Sequence, residues 1–199
     1  MGLVCFIICQ CSEQFWQKII FSNLILIVPK VSNVADWQIS KLEHNQEEKF
    51  CIKGKGLPAM PVIIGKAGLI AVENKREGDM ATPIGRWALR YLYYRRDILG
   101  DIKCALSSSV ITKNCGWCDD PTHKEYNRYV KLPFTASHER LWRDDGAYDI
   151  VLALGYNDMP VVSGMGSAIF LHLTNKKYKP TKGCIAILKK DFLKILPLI

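Results

Sequence analysis

The fold of this chain is constrained most by short apolar runs, separated by Gly, Pro, Asn and Asp, that continue from Asp36 to the C-terminus. Within residues 86–93 the side chains alternate. This pattern predicts one face made of Trp87, Leu89, Tyr91 and Tyr93 and an opposite face made of Arg86, Ala88 and Arg90. Residues 148–154 and 168–174 show the same two-residue period. Such alternation is typical of half-buried strands, so we predict a mostly β domain.

Three further segments complete the sequence-based outline. The runs Val62–Ile64 and Leu69–Val72 flank Gly65 and Gly68, which predicts a hairpin. Residues 115–145 are rich in polar and turn residues but contain several aromatic residues, which favours an ordered lid or binding loop. Near the C-terminus, apolar residues recur at helical spacing after Asp191 and predict a short helix, with Phe192, Leu193, Ile195 and Leu196 as the apolar positions.

The composition is that of a globular protein with one domain. A chain of 199 residues with 49% hydrophobic residues can bury a sizeable core, and we divide it into an extension of residues 1–35 and a domain of residues 36–199. The net charge of +8 would attract nucleic acid, an anionic membrane or the polyanionic bacterial envelope. The basic residues are dispersed and no nucleic-acid recognition motif is present, so we predict no nucleic-acid partner. The oligomeric state is not determined by these features.

The N-terminal extension contains an apolar run from Ile19 to Val28. This run is shorter than the roughly 18 residues that a membrane-spanning helix requires. Its length fits the apolar part of a secretory signal, and Ala35 offers a cleavage site. Two interpretations stay open. The run is an export signal or membrane-proximal anchor, which places the protein in the cell envelope or periplasm. Alternatively it is a buried strand, an amphipathic helix or a product of a misassigned start codon, and the protein is cytoplasmic.

The eight cysteines do not form the dense pattern of a disulfide-rich domain. Cys115 and Cys118 form a CxxC pair, and His123 follows five residues later. A structural zinc site normally needs four ligands, commonly from two such pairs, and a redox motif needs a thioredoxin-like context. We therefore predict no metal and no other cofactor.

Two residues near the C-terminus could carry nucleophilic chemistry. His172 lies in an apolar strand, in phase with Ala168, Phe170 and Thr174. Cys184 follows Gly183 at a turn that leads into another apolar run, an arrangement that can expose the sulfur and direct backbone N–H groups towards one point. Acyl transfer needs a thiol, a base and oxyanion donors. A buried free cysteine and a histidine in the core would have the same spacing, so the pattern alone leaves both interpretations open.

The motifs around these residues resemble a known family. The segments 169–172 and 180–186 resemble the catalytic motif of the L,D-transpeptidase (YkuD-type) catalytic domain, in which a His precedes a Ser/Thr-x-Gly-Cys signature. Upstream, residues 75–87 resemble the Thr-Pro-x-Gly-x-aromatic element of that family, and residues 116–121, 126–128 and 141–149 are similar to a bacterial branch of it. The resemblance extends from about Val62 to Leu196. Typical members have Gly, His and Arg where this chain has Leu173, Lys182 and Ala186, which leaves acceptor choice and donor binding open.

The resemblance implies a β-sandwich or barrel-like domain with a short C-terminal helix that acts on the stem peptides of peptidoglycan. Cys184 would be the nucleophile, His172 the proton acceptor and donor, and Gly183 N–H an oxyanion donor. For substrate binding we select Arg86, Arg128 and Arg143, because guanidinium groups bind carboxylates, and Trp117 as a wall of the cleft. An L,D-carboxypeptidase would use the same residues. An inactive cell-wall-binding module would keep the fold without the chemistry.

Overall fold

The structure is a computed structural model that describes residues 23–27, 37–42, 49–54, 57–174 and 179–199. Fourteen strands and two α-helices lie in these ranges. The first seven strands are β1 (Asn23–Ile27), β2 (Trp37–Leu42), β3 (Lys49–Gly54), β4 (Leu57–Ile63), β5 (Leu69–Ile70), β6 (Thr82–Pro83) and β7 (Arg86–Tyr94). The next seven are β8 (Ser108–Val110), β9 (Cys115–Cys118), β10 (Tyr129–Lys131), β11 (His138–Arg140), β12 (Ile150–Leu154), β13 (Phe170–Thr174) and β14 (Ile185–Leu188). The helices are α1 (Arg96–Leu99) and α2 (Lys189–Ile195), and 3₁₀ turns cover Val72–Asn74 and Leu196–Leu198.

Nine strands form the main sheet in the order β1-β2-β3-β4-β14-β13-β12-β7-β8, and a further pairing of β1 with β7 closes it. A three-stranded sheet, β10-β9-β11, is built from the segment between β8 and β12. The strands β13 and β14 are parallel neighbours, with His172 in register with Ala186. The prediction of a mostly β, barrel-like domain with a short C-terminal helix is confirmed.

Side chains of β12 and β13 alternate between two apolar clusters. Those on one face form the main core together with side chains of β14 and α2, and this core includes Leu152, Leu171, Ile185 and Phe192. Those on the opposite face form a second cluster, which includes Val151, Phe170, Tyr148 and Cys184. Trp117 of the three-stranded sheet packs against this second cluster. The candidate nucleophile therefore lies between the main sheet and the small sheet.

The strand predicted over residues 86–93 is present, but the predicted sharing of one face by its four apolar residues is wrong. Trp87 and Leu89 pack with the main core, whereas Tyr91 and Tyr93 pack in the second cluster. The pairing with β12 shifts register so that Ala153 faces Tyr91 and the next residue faces Leu89, which leaves one extra residue in β7. Such a bulge exchanges the two faces of a strand. Alternation in the sequence does not reveal where this happens.

The predicted hairpin of residues 62–64 and 69–72 is also wrong. β4 pairs with β3 and β14, while β5 pairs in parallel with β6. Gly65 leaves the main sheet between them, and its N–H donates to Thr82 Oγ1 at 2.8 Å. A Cβ at Gly65 would lie 2.2 Å from the Met80 carbonyl oxygen. Gly65 therefore permits a close chain crossing, and the turn that it begins, in which the Gly68 N–H donates to the Gly65 carbonyl oxygen at 2.9 Å, joins strands of different sheets.

The structure describes the C-terminal end of the chain fully but only part of the N-terminal extension. At the C-terminus, α2 buries Phe192 and Ile195, as the spacing predicted, whereas Leu193 is exposed. The predicted extension of residues 1–35 lies mostly outside the described residues, but Asn23–Ile27 within its apolar run form β1. In the described ranges, no helix has both the length and the apolar character that crossing a bilayer requires.

Candidate active site

Cys184 lies at the turn that leads into β14, and Gly183 makes this turn possible. The φ angle of Gly183 is 127°, a conformation that a side chain would strain. A Cβ on this residue would also lie 3.0 Å from the carbonyl oxygen of Ala81. The position therefore requires glycine both for its backbone angle and for the space it leaves.

Two threonines fix the backbone on either side of the nucleophile. Thr82 is fully buried and donates from Oγ1 to the Gly183 carbonyl oxygen at 2.8 Å. Thr181 donates from Oγ1 to the Cys184 carbonyl oxygen at 2.6 Å. The two sequence motifs, 101 residues apart, thus meet at one turn, and each contributes the hydroxyl that orients a carbonyl there.

The sulfur of Cys184 is nearly enclosed, since the residue is 9% exposed. Its S–H donates to the carbonyl oxygen of Ala168 at 3.1 Å, and the N–H of Phe170 points at the sulfur at 3.4 Å. Both contacts come from the chain that enters β13. The Gly183 N–H donates to Thr181 Oγ1 at 3.2 Å, so this hydrogen bond must be exchanged before that N–H can serve an oxyanion.

His172 lies two residues beyond Phe170 on β13, on the face that carries Cys184. Its Nδ1 is 2.8 Å from the carbonyl oxygen of Leu173. A carbonyl can only accept, so Nδ1 carries the proton and Nε2 is the basic nitrogen. A backbone carbonyl therefore orients the imidazole, and no third side chain is needed for that purpose.

Burial shifts the pKa values of the two groups in opposite directions. It raises the pKa of the Cys184 thiol to about 12, and the nearby Glu139 carboxyl adds to this increase. Burial lowers the pKa of His172 to about 4. An imidazolium beside the sulfur would have the opposite effect and would lower the thiol pKa. The enclosed site instead contains a neutral thiol and a neutral imidazole across the range near neutrality, because both charged forms lose hydration.

Asn127 fixes the segment that faces the sulfur. It is 6% exposed, and its Oδ1 accepts from the N–H of Ala168 and from Trp117 Nε1, each at 3.0 Å. Its Nδ2 donates to the carbonyl oxygens of Tyr156 and Asn157 at 2.9 and 2.8 Å. Ala168 has a φ of 53°, which a non-glycine residue rarely adopts. The amide of Asn127 therefore stabilises the conformation that directs the Ala168 carbonyl at Cys184.

Comparison with known proteins decides the family. The model of the YkuD family, described as the L,D-transpeptidase catalytic domain, matches residues 42–199. This match covers most of the chain and includes both candidate catalytic residues. The chain belongs to the L,D-transpeptidase catalytic domain family. No curated protein and no solved structure matches it.

The structure places the four predicted substrate-binding residues of this L,D-transpeptidase family member in different surroundings. Arg143 stacks over the Tyr148 ring at 4.8 Å, and Trp117 packs on Phe170 with ring centroids 5.0 Å apart, so both lie beside the Cys184 region. Arg86 is exposed at the start of β7. Arg128 lines a surface cavity of about 630 Å³ whose lining residues do not include Cys184 or His172.

The sequence motifs gave no role to Glu139 or Tyr148, which also lie at this site. Tyr148 is buried, and its hydroxyl donates to Glu139 Oε1 at 2.8 Å. Tyr148 belongs to a segment that resembles the family, and the strand pattern placed it in phase with apolar residues. That phase predicted that Tyr148 packs in the main core, as Leu152 does. Tyr148 instead packs in the second cluster, because it precedes β12 and does not continue the strand.

The CxxC pair has a geometry unsuited to joint chemistry. Cys115 and Cys118 are the first and last residues of β9, and both are free. Residues three apart on a strand point to opposite faces and have Cα atoms about 10 Å apart. A disulfide requires a much shorter separation. In the described part of the chain, no group of three or more His, Cys, Asp or Glu side chains could bind a metal ion.

Proposed function

We propose that this protein is a peptidoglycan L,D-transpeptidase that acts through a thioester on Cys184. The observation that carries the proposal is the position of Cys184 at the turn into β14, directly beside β13, the parallel strand that carries His172, with the imidazole fixed by a backbone carbonyl. Membership in the L,D-transpeptidase family implies a peptidoglycan stem peptide as the substrate. No cofactor is required for this chemistry.

The proposed reaction has two steps. The proton of the Cys184 thiol moves to His172 Nε2 as the sulfur attacks the carbonyl carbon between the L-centre of the diamino acid and the terminal D-amino acid. The protonated imidazole then gives this proton to the leaving amine, and the peptide C–N bond breaks. In the second step His172 removes a proton from an acceptor amine, which attacks the thioester and restores the thiol. Because the resting pair is neutral, proton transfer accompanies attack and does not precede it.

Backbone donors would stabilise the oxyanion that forms in each step. The N–H groups of Cys184 and Gly183 are the candidates, and one such donor contributes about 2.7–4 kcal/mol in comparable enzymes. Substrate binding would have to displace the Gly183 bond to Thr181 Oγ1. Arg143, which lies beside the Cys184 region, is the candidate guanidinium for a substrate carboxylate. Arg86 and Arg128 would contact more distant parts of a polymeric substrate.

A carboxypeptidase would use water in the second step, and the residues named here serve both reactions. The enclosure of Cys184 is the observation that favours an inactive cell-wall-binding module instead. Muropeptides with tetrapeptide stems, incubated with the protein and analysed by mass spectrometry, separate these functions. We expect cross-linked dimers that have lost one terminal D-amino acid. Trimmed monomers alone would indicate the carboxypeptidase, and unchanged muropeptides would contradict both enzyme proposals. The matched control is Cys184→Ala.

We also propose that the protein acts in the cell envelope or periplasm, since its proposed substrate lies outside the cytoplasmic membrane. Residues 19–28 would direct export or keep the protein close to the membrane. Cleavage after Ala35 would remove β1 from the sheet, so an uncleaved segment is compatible with the fold described above. A fusion of residues 1–40 to a reporter is expected to leave the cytoplasm. A fusion that stays there would contradict this signal assignment.

A further inference from the structure

Tyr148 packs against the residues that surround the nucleophile. It is 4% exposed, and its ring meets the His172 ring edge to face, with centroids 5.1 Å apart. The same ring meets Phe170 at 6.1 Å, and Phe170 donates its N–H towards the Cys184 sulfur. The tyrosine ring therefore contacts both the base and the residue beside the sulfur.

The Tyr148 hydroxyl is fixed by a pair of charged side chains from the segment around β11. It donates to Glu139 Oε1 at 2.8 Å, and Arg143 Nη1 lies 3.5 Å from the same carboxylate oxygen. Arg143 in turn binds Asp145 with two hydrogen bonds, from Nε and from Nη2. Glu139 therefore shares the Arg143 guanidinium with Asp145, and this contact does not depend on the tyrosine hydroxyl.

We propose that Tyr148 is a further catalytic residue that donates a hydrogen bond to the Cys184 thiolate, and that Glu139 is a positioning residue for its hydroxyl. This inference rests on the proposed thiol chemistry of Cys184. As the S–H bond breaks and its proton moves to His172 Nε2, the Tyr148 hydroxyl turns its hydrogen from Glu139 to the sulfur. The tyrosine neither gains nor loses a proton. Glu139 keeps its contact with Arg143.

The electrostatics around the sulfur agree with these roles. The Tyr148 hydroxyl, as a hydrogen-bond donor, lowers the pKa of the Cys184 thiol, and the Glu139 carboxylate raises it. Burial also raises the pKa of Glu139. The other charged groups that act on Cys184, Glu139 or His172 are Lys75, Asp119, Arg143, Asp145 and Lys182. Removing the hydroxyl and removing the carboxylate charge should therefore change thiolate formation in opposite directions.

The test measures alkylation of Cys184 by iodoacetamide between pH 7 and 10, with peptide mapping to separate this cysteine from the other seven. Tyr148→Phe keeps the ring contacts and is expected to slow Cys184 alkylation about tenfold at each pH, since a hydrogen bond to a charged group is lost. Glu139→Gln keeps an acceptor for the hydroxyl but removes the charge, and it is expected to speed alkylation several-fold.

Tyr129→Phe is the matched control, because its hydroxyl also contacts a thiol, but that of Cys115, at 3.2 Å. It is expected to leave Cys184 alkylation unchanged. If Tyr148 had only a packing role, Cys184 would be alkylated at the same rate in Tyr148→Phe and in the unmodified protein at every pH. This result would overturn the proposal. The proposal would also be overturned if Tyr148→Phe and Glu139→Gln changed the alkylation rate of Cys184 in the same direction. Alkylation does not require peptidoglycan, so failure here is distinguishable from absence of transpeptidase activity.

Discussion

Cys184→Ala is expected to abolish acylation by a carbapenem, a β-lactam type suggested by the family resemblance as an acylating probe. The sulfur is the atom that would form the thioester, and an alanine side chain offers no nucleophile in its place. Intact-mass measurement should show one adduct on the unmodified protein, and peptide mapping should place it on Cys184 alone. Cys104→Ala removes a half-buried thiol elsewhere and should leave the adduct in place.

His172→Ala should keep the thiol but reduce the acylation rate by about 10²–10⁴-fold, the range typical of a lost general base. With His172 present, the pKa of about 4 means that the basic form is available above about pH 5. The acylation rate should therefore decline only as the pH falls through the range near 4. Without His172, the residual rate should increase with pH as the thiol ionises. Labelling of Cys184 that is absent, or that His172→Ala does not change, would show that the pair is not a catalytic unit.

Asn127→Ala is expected to lower the free energy of unfolding by about 4 kcal/mol, because it leaves several buried donors and acceptors without partners. The Ala168 N–H, the Trp117 Nε1–H and two carbonyl groups all lose the amide. For a protein of this size, the midpoint of thermal unfolding should fall by about 10 °C. Acylation of Cys184 should slow as well, since the Ala168 carbonyl beside the sulfur loses its support.

Arg128→Ala is the matched control for this second prediction. Arg128 is the next residue in the chain, but its side chain is exposed at the surface cavity. The change is expected to shift the thermal midpoint by less than about 2 °C, as surface substitutions typically do. Equal stability of Asn127→Ala and Arg128→Ala would mean that the Asn127 amide does not stabilise the site.

Segments with a local signature were predicted correctly. The strand that carries His172 and the C-terminal helix follow from periodicity, because one buried face imposes a period of two or of 3.6 residues. The motifs that resemble those of the L,D-transpeptidase catalytic domain predicted the family and its fold. The resemblance also brought together two motifs whose physical link, a pair of threonine hydroxyls at the Gly183 turn, is visible only in the structure.

Failures occurred where a residue's partner is distant in the chain. The register shift in β7 exchanges the faces of its aromatic residues, and the hairpin failed because β4 and β5 belong to different sheets. The CxxC spacing did not show how its two thiols lie relative to each other, and β9 places them on opposite faces. In each case the local sequence is compatible with more than one pairing, and long-range packing selects among them.

The sequence by itself determined the mostly β fold, the family and the identity of the candidate nucleophile and base, because these depend on periodicity and on short motifs. Only the tertiary structure decided the state of the pair. Burial in the folded protein raises the pKa of the thiol and lowers that of the half-buried imidazole, because desolvation disfavours both charged forms. The tertiary structure also brought Glu139 and Tyr148 to the site from separate segments, since contacts between such segments exist only after the chain has folded.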